Sequence, residues 1–200
     1  MRSILIWAAL CLAIAAPLGI AAASPLLQWR DPVYIIAGFA GVVGMALVLL
    51  QPLLAAGYLP GLRINRSRNL HRWTGAALVM AVLIHVGGLW ITSPPDVIDA
   101  LLFASATPFS LWGVIAMWAI FATALLAFLR SRGALRPRLW RLGHSALALI
   151  IVIGTALHAL LIEGTMGQIS KIILATLVIA ATLKALGDLR AWVLLRRPQR

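Results

Sequence analysis

Long apolar runs, separated by short polar stretches rich in proline and glycine, dominate this chain. Six stand out, at about residues 4–23, 33–54, 73–90, 109–129, 142–162 and 169–186. Each approaches the ~20 residues with which a helix crosses about 30 Å of hydrocarbon at about 1.5 Å per residue. The alternation expected of a membrane barrel strand is absent. A segment in lipid must satisfy its own backbone hydrogen bonds, which leaves helix as the form of every run. Breaks fall at Ser24-Pro25, Asp31-Pro32, Pro60-Gly61, Pro94-Pro95, Pro108 and Pro137. The pattern predicts an all-α membrane protein, a bundle of six transmembrane helices.

The first run has two readings. Met1-Arg2, an apolar stretch and then Ala21-Ala22-Ala23 before Ser24 resemble a signal peptide with a small-residue cleavage site. A signal core runs to about 7–15 residues, and this run is longer, so the expectation is a retained first helix, a possible signal anchor.

Composition agrees with the pattern. Of 200 residues, 62% are hydrophobic and only 11% charged, against about 25% charged in soluble domains. A soluble chain of this size has nowhere to hide so much apolar surface, so a water-soluble domain and a disordered chain are both excluded. The net charge of +12 suggests a nucleic-acid partner in a soluble protein. Here the basic residues sit between apolar runs, so the expected partner is the lipid bilayer and no nucleic acid.

Sidedness follows from the same residues. Arg2, the Arg63–Arg72 group, the Arg130–Arg141 group and the basic residues from Lys184 to Arg200 fall on one side of the bundle. Only Arg30 and Lys171 fall on the other. The positive-inside rule then puts both termini in the cytoplasm, in a multi-pass protein of the cell's inner (plasma) membrane. Trp73, Trp140 and Trp192 near one face, and Trp29, Trp90 and Trp112 near the other, read as interfacial anchors. Asp99 and Glu163 read as solvated loop residues. The single cysteine, Cys11, excludes an intrachain disulfide, a cysteine-ligated iron–sulfur cluster and a CxxCH haem attachment.

The four histidines carry the chemistry. His71 and His85 lie in the third run's helix, His144 and His158 in the fifth, and both pairs are spaced by 14 residues. At about 100° per residue, 14 residues turn about 40° short of four full turns, so each pair shares one helix face, about 21 Å apart along the axis. The two helices run in the same direction. His71 and His144 therefore share the cytoplasmic half, and His85 and His158 the outer half. Side by side, the helices offer two bis-histidine sites stacked across the bilayer, as two haems with paired imidazole axial ligands require. A lone histidine near a helix end is more often a packing residue; two pairs at one spacing with none left over are not explained that way. Zinc or copper fits less well, because each pair offers only two nitrogens, with no neighbouring Cys, Asp or Glu to complete a shell.

Arg72 and Arg141, with Arg68 and Arg138 beside them, are candidates to pair with haem propionates, although most basic residues here serve as topology markers. Gly75, Gly87, Gly143 and Gly154 either relieve crowding by a porphyrin or sit at helix–helix contacts. Gly38, Gly41 and Gly44 read as packing positions.

Leu70-His71-Arg72-Trp73-Thr74-Gly75, then His85, then Trp140 one helical turn before His144, then His158 resemble the ferric reductase-like transmembrane domain. Ferric reductases, NADPH oxidases and the membrane subunit of the bacterial periplasmic methionine sulfoxide reductase system share that domain. The resemblance covers roughly residues 35–165. It implies an inner haem b on His71 and His144, an outer haem b on His85 and His158, and electrons moving outward from a cytoplasmic flavin donor. The methionine sulfoxide reductase subunit generally lacks the histidine matching His71, so the full set here implies two haems. Many relatives carry FAD and NAD(P)H on an added domain, whereas this sequence holds no Gly-rich dinucleotide fingerprint. The expected donor is therefore a separate cytoplasmic reductase, a flavin on a partner or at the cytoplasmic face, or a quinol. The organisation expected is a first helix and outer loop over 1–32, a haem-binding core over 33–165, and a sixth helix with a basic cytoplasmic tail over 166–200.

Three functions compete at this stage. The first is a di-haem b protein carrying electrons to ferric iron or another external acceptor, an oxidoreductase subunit that needs a separate donor. The second is a quinone-linked cytochrome b subunit of a larger complex, which shares the histidine spacing. The third is a non-redox membrane protein such as a transporter, against which stands the absence of midmembrane ionisable residues other than the histidines.

Overall fold

The computed structural model describes residues 1–189. Among them are seven α-helices: α1 (Arg2–Ala22), α2 (Pro32–Ala56), α3 (Ile64–Thr92), α4 (Pro94–Leu101), α5 (Pro108–Ser131), α6 (Pro137–Leu161) and α7 (Gln168–Asp188). All but α4 are long and apolar enough to cross a membrane. The six expected spans are present, and the protein is a multi-pass membrane bundle. The expected basic tail with Arg190, Arg196, Arg197 and Arg200, and the anchor Trp192, lie outside the described residues.

Local chemistry sets the helix ends. At the start of α2, the Asp31 carboxylate accepts the Val33 N–H at 2.7 Å and Pro32 takes the first helical position, where its missing N–H costs nothing. Proline likewise opens α5 and α6. Helix α2 stops at Gly57, whose φ of +71° lies in the left-handed region that favours glycine. The chain then turns back so tightly that a β-carbon on Gly57 would sit 2.8 Å from Ile64 Cδ1. Ser67, with no exposed surface, donates to the Leu54 carbonyl at 2.7 Å and pins α3 to α2.

Two boundaries differ from the expectation. Helix α3 begins nine residues ahead of the apolar run, because its first turns carry Asn65, Arg66, Arg68, Asn69 and Arg72, mostly exposed, and so show no apolar period. Helix α4 forms where the sequence predicts only a break. Its Pro94-Pro95 pair occupies the first helical positions instead, and it buries Val97 while Asp96 and Asp99 face outward.

The bundle is a ring. Helix α2 packs along α3, and α5 along α6; α7 closes the ring against α2 and α6, and α3 meets α5 on the opposite side. Helix α1 lies outside, against α2 and α7, tied at one end by Trp7 Nε1 donating to the Pro60 carbonyl at 3.2 Å. Helices α3 and α6 face each other across the ring without packing closely. Apolar residues pointing into the ring form the core, among them Met45, Val48, Leu78, Ile120, Val152 and Leu174. Ile84, Leu125, Phe128, Ile153 and Ile173 are exposed on the outside, as a lipid-facing surface demands. At the basic end, the Tyr58 hydroxyl donates to Asp188 at 2.5 Å, and Lys184 pairs with the same carboxylate at 2.6 Å, joining the α2–α3 turn to the end of α7.

The hairpins α2–α3 and α5–α6 repeat one plan. Arg63 and Arg136, the residues capping α3 and α6, lie 73 positions apart in sequence and both have extended backbone. His71 and His144, and His85 and His158, are separated by the same 73 positions.

Candidate functional site

The four histidines meet in two tiers across the gap between α3 and α6. In the tier nearer the basic end, the rings of His71 and His144 have centroids 6.1 Å apart. In the other tier, His85 and His158 are 6.3 Å apart. Two imidazoles on opposite sides of one metal ion have centroids about 6.3 Å apart, from two metal–nitrogen bonds of about 2.0 Å and two ring radii of about 1.15 Å, set by ring bonds near 1.33 Å. Both tiers match that spacing. All four rings are half-buried.

Three of the rings are aimed by backbone carbonyls of the helix preceding their own. His71 Nδ1 lies 3.1 Å from the Gln51 carbonyl, His85 Nδ1 2.7 Å from that of Ala37, and His158 Nδ1 2.9 Å from that of Phe109. A carbonyl only accepts, so Nδ1–H donates in each case and Nε2 keeps its lone pair. That is the tautomer in which imidazole ligates a metal, with the second nitrogen bonded to fix ring and basicity. His144 differs. Its Nδ1 is buried without a partner, and so is Nε1 of Trp140. Trp140 instead stacks on the His144 ring, 5.3 Å between centroids and 21° between planes.

Two glycines make room for the outer rings. A β-carbon on Gly41 would stand 3.0 Å from the His85 ring, and one on Gly113 only 2.6 Å from His158 Nδ1. Each follows by one helical turn the residue whose carbonyl holds that ring, Ala37 or Phe109. The sequence reading took Gly41 for a packing position and passed over Gly113. The signal was there, since Ala37 and Phe109, and Gly41 and Gly113, repeat at an offset of 72. It becomes meaningful only once α2 and α5 are known to pair with α3 and α6. Gly143 and Gly154 face α5 instead, at Leu126 and at the Trp112 carbonyl, so they are helix-packing residues.

Residues 37–155 match the family described as the ferric reductase like transmembrane component. The chain belongs to the ferric reductase-like family. The matched span runs from α2 into α6 and takes in His71, His85 and His144, with His158 three residues beyond it. No curated protein and no solved structure matches the chain. Domains of this family generally bind haem, and membership ties the chain to electron transfer across a membrane.

Within this ferric reductase-like bundle, a cavity of about 510 Å³ opens at the far end from the basic loops and reaches His85 and His158. Its size falls in the range of about 300–1,000 Å³ common to cofactor pockets. The wall is apolar around the histidines, with Val42, Leu78, Val114 and Met117, and becomes polar at the mouth. Among the described residues no three His, Cys, Asp or Glu side chains converge on a metal-sized site. The tiers thus supply paired imidazoles and no closed coordination shell, which suits a planar macrocycle that brings four nitrogens of its own. Arg72 and Arg141, the expected propionate partners, are exposed at the basic end beside the inner tier, as are Arg68 and Arg138.

Proposed function

We propose that this protein carries electrons across the membrane through two haems b, held by His71 with His144 and by His85 with His158. The observation that supports the reading most is the pair of cross-ring separations, 6.1 and 6.3 Å, in two tiers on the same two helices. The porphyrin iron, when bound, supplies a one-electron carrier at each tier. The protein's own residues do the rest. The carbonyls of Gln51, Ala37 and Phe109 keep three imidazoles in the ligating tautomer and in orientation. Gly41 and Gly113 let the outer rings lie close to α2 and α5. The apolar ring of helices excludes water and ions from the space between the tiers.

The positive-inside rule gives the direction. The arginine-rich end faces the cytoplasm, where Arg72 and Arg141 would hold the propionates of an inner haem. A separate reductase, a flavin or a quinol would donate there, and the cavity that reaches His85 and His158 would admit ferric iron or another external acceptor to an outer haem held by that pair. The membrane is the cell's inner (plasma) membrane.

A reduced-minus-oxidised absorption spectrum of the purified protein, with haem quantified as the pyridine haemochrome, tests this. The expected result is two haems b per chain. A stoichiometry near one removes a tier, and a colourless protein removes the proposal.

A further inference from the structure

Lys171 is out of place for a lysine. It lies one turn into α7 at the outer end, where basic residues are scarce, and it is only 3% exposed. Its ammonium group donates to the Ile162 carbonyl, which uses one of three donors and none of the charge. Among the described residues the one salt bridge joins Lys184 and Asp188 at the other end of α7; Glu163, on the same cavity wall, acts on Lys171 through space but makes no ion-pair contact with it. A buried cation with no anion in contact is costly, and a carboxylate that reaches it relieves that cost.

Lys171 also lines the cavity that reaches His85 and His158. On the same wall stand Ser105, Thr107 and Ser110, whose hydroxyls bond to one another and offer further donors. The nearby acids do not fill the role. Asp96 is exposed and engaged by the Ser93 hydroxyl, and Glu163 is exposed and acts on Lys171 only at a distance, with no ion-pair contact. Exposed charges such as Asp96 and Glu163 are screened by salt, while the buried Lys171 is screened less.

We propose that Lys171 binds a carboxylate in the outer cavity. That chemistry has two sources: a propionate of a porphyrin seated at His85 and His158, or a carboxylate-bearing solute entering from outside, such as a chelate of the acceptor metal. The propionate source rests on the two-haem reading above, and the solute source stands without it.

The test uses the full chain in nanodiscs of zwitterionic lipid, as wild type, Lys171→Gln and Lys171→Arg. Glutamine keeps a donor for Ile162 and removes the charge; arginine keeps the charge. Citrate binding is measured by equilibrium dialysis, and outer-haem retention by the rate of haem loss to excess apomyoglobin, with haem and with its dimethyl ester. For a propionate, Lys171→Gln speeds loss of the outer haem, Lys171→Arg does not, and the dimethyl ester, with no carboxylate to pair, is lost equally fast from all three. For a solute, citrate binds to wild type and Lys171→Arg, and binds roughly tenfold or more weakly to Lys171→Gln, whichever porphyrin is present. Equal citrate binding and equal haem loss in wild type and Lys171→Gln overturn the proposal. If the protein carries no outer haem, the two-haem reading fails separately, and the dialysis alone decides between a carboxylate site and none.

Discussion

At Gly113 the hydrogen in place of a β-carbon leaves the His158 ring its position. A methyl group there would lie 2.6 Å from Nδ1, so the ring must rotate away from the Phe109 carbonyl or α5 and α6 must part, and such overpacking costs about 1–3 kcal/mol. Gly113→Ala is expected to lose the outer haem and keep the inner one, halving the haemochrome yield per chain. Gly41→Ala meets the His85 ring at 3.0 Å and is expected to act in the same direction with a smaller loss. Haem content unchanged in both variants would separate these glycines from the site. Trp140 makes a second residue-scale case. Its stacked face braces His144, but its Nε1 has no acceptor. Trp140→Phe should keep the inner haem spectrum, while Trp140→Ala should weaken haem retention on dilution, measured as loss of Soret absorbance. The histidines were legible from spacing alone, because helical phase is a property of sequence. Their carbonyl and glycine partners were not, because they lie on other helices, at separations such as the 48 residues between Ala37 and His85.

The helical hairpin is the working unit one scale up. It holds α3 in register with α2 through Ser67 and Leu54, through the tight turn at Gly57, and through the bonds from His71 and His85. Ser67→Ala removes a buried donor and leaves the Leu54 carbonyl only the Gly57 N–H, a cost of about 1 kcal/mol. The expected outcome is a lower thermal midpoint in detergent, followed by light scattering or haem bleaching, with an unchanged spectrum at room temperature. The six spans were readable because membrane helices announce themselves by composition. The start of α3 and all of α4 were not. The first is a helix leaving the apolar layer, where polar residues replace the period, and the second is a short turn of helix whose prolines also mark breaks.

For the molecule as a whole, the proposed relay sets an order. His85→Ala or His158→Ala should spare reduction of the inner haem by a donor at the basic face and stop delivery to an acceptor enclosed in proteoliposomes at the opposite face. Normal delivery in either variant would contradict the two-tier path. Sidedness has its own check: reporters inserted after Gly61 or Gly133 should be active in the cytoplasm, and one inserted after Ser105 should be active outside. By itself the sequence determined that the chain spans a membrane six times, which end carries the positive charge, and that four imidazoles share two helix faces; hydropathy, charge and helical phase are all local along the chain. Only the tertiary structure decided that α3 and α6 face each other across a ring of helices, that both tiers close to the width of a shared metal, and that α2 and α5 supply the carbonyls and the glycines. Those facts depend on which helices pack together, and shape complementarity between distant segments settles that where no local pattern records it.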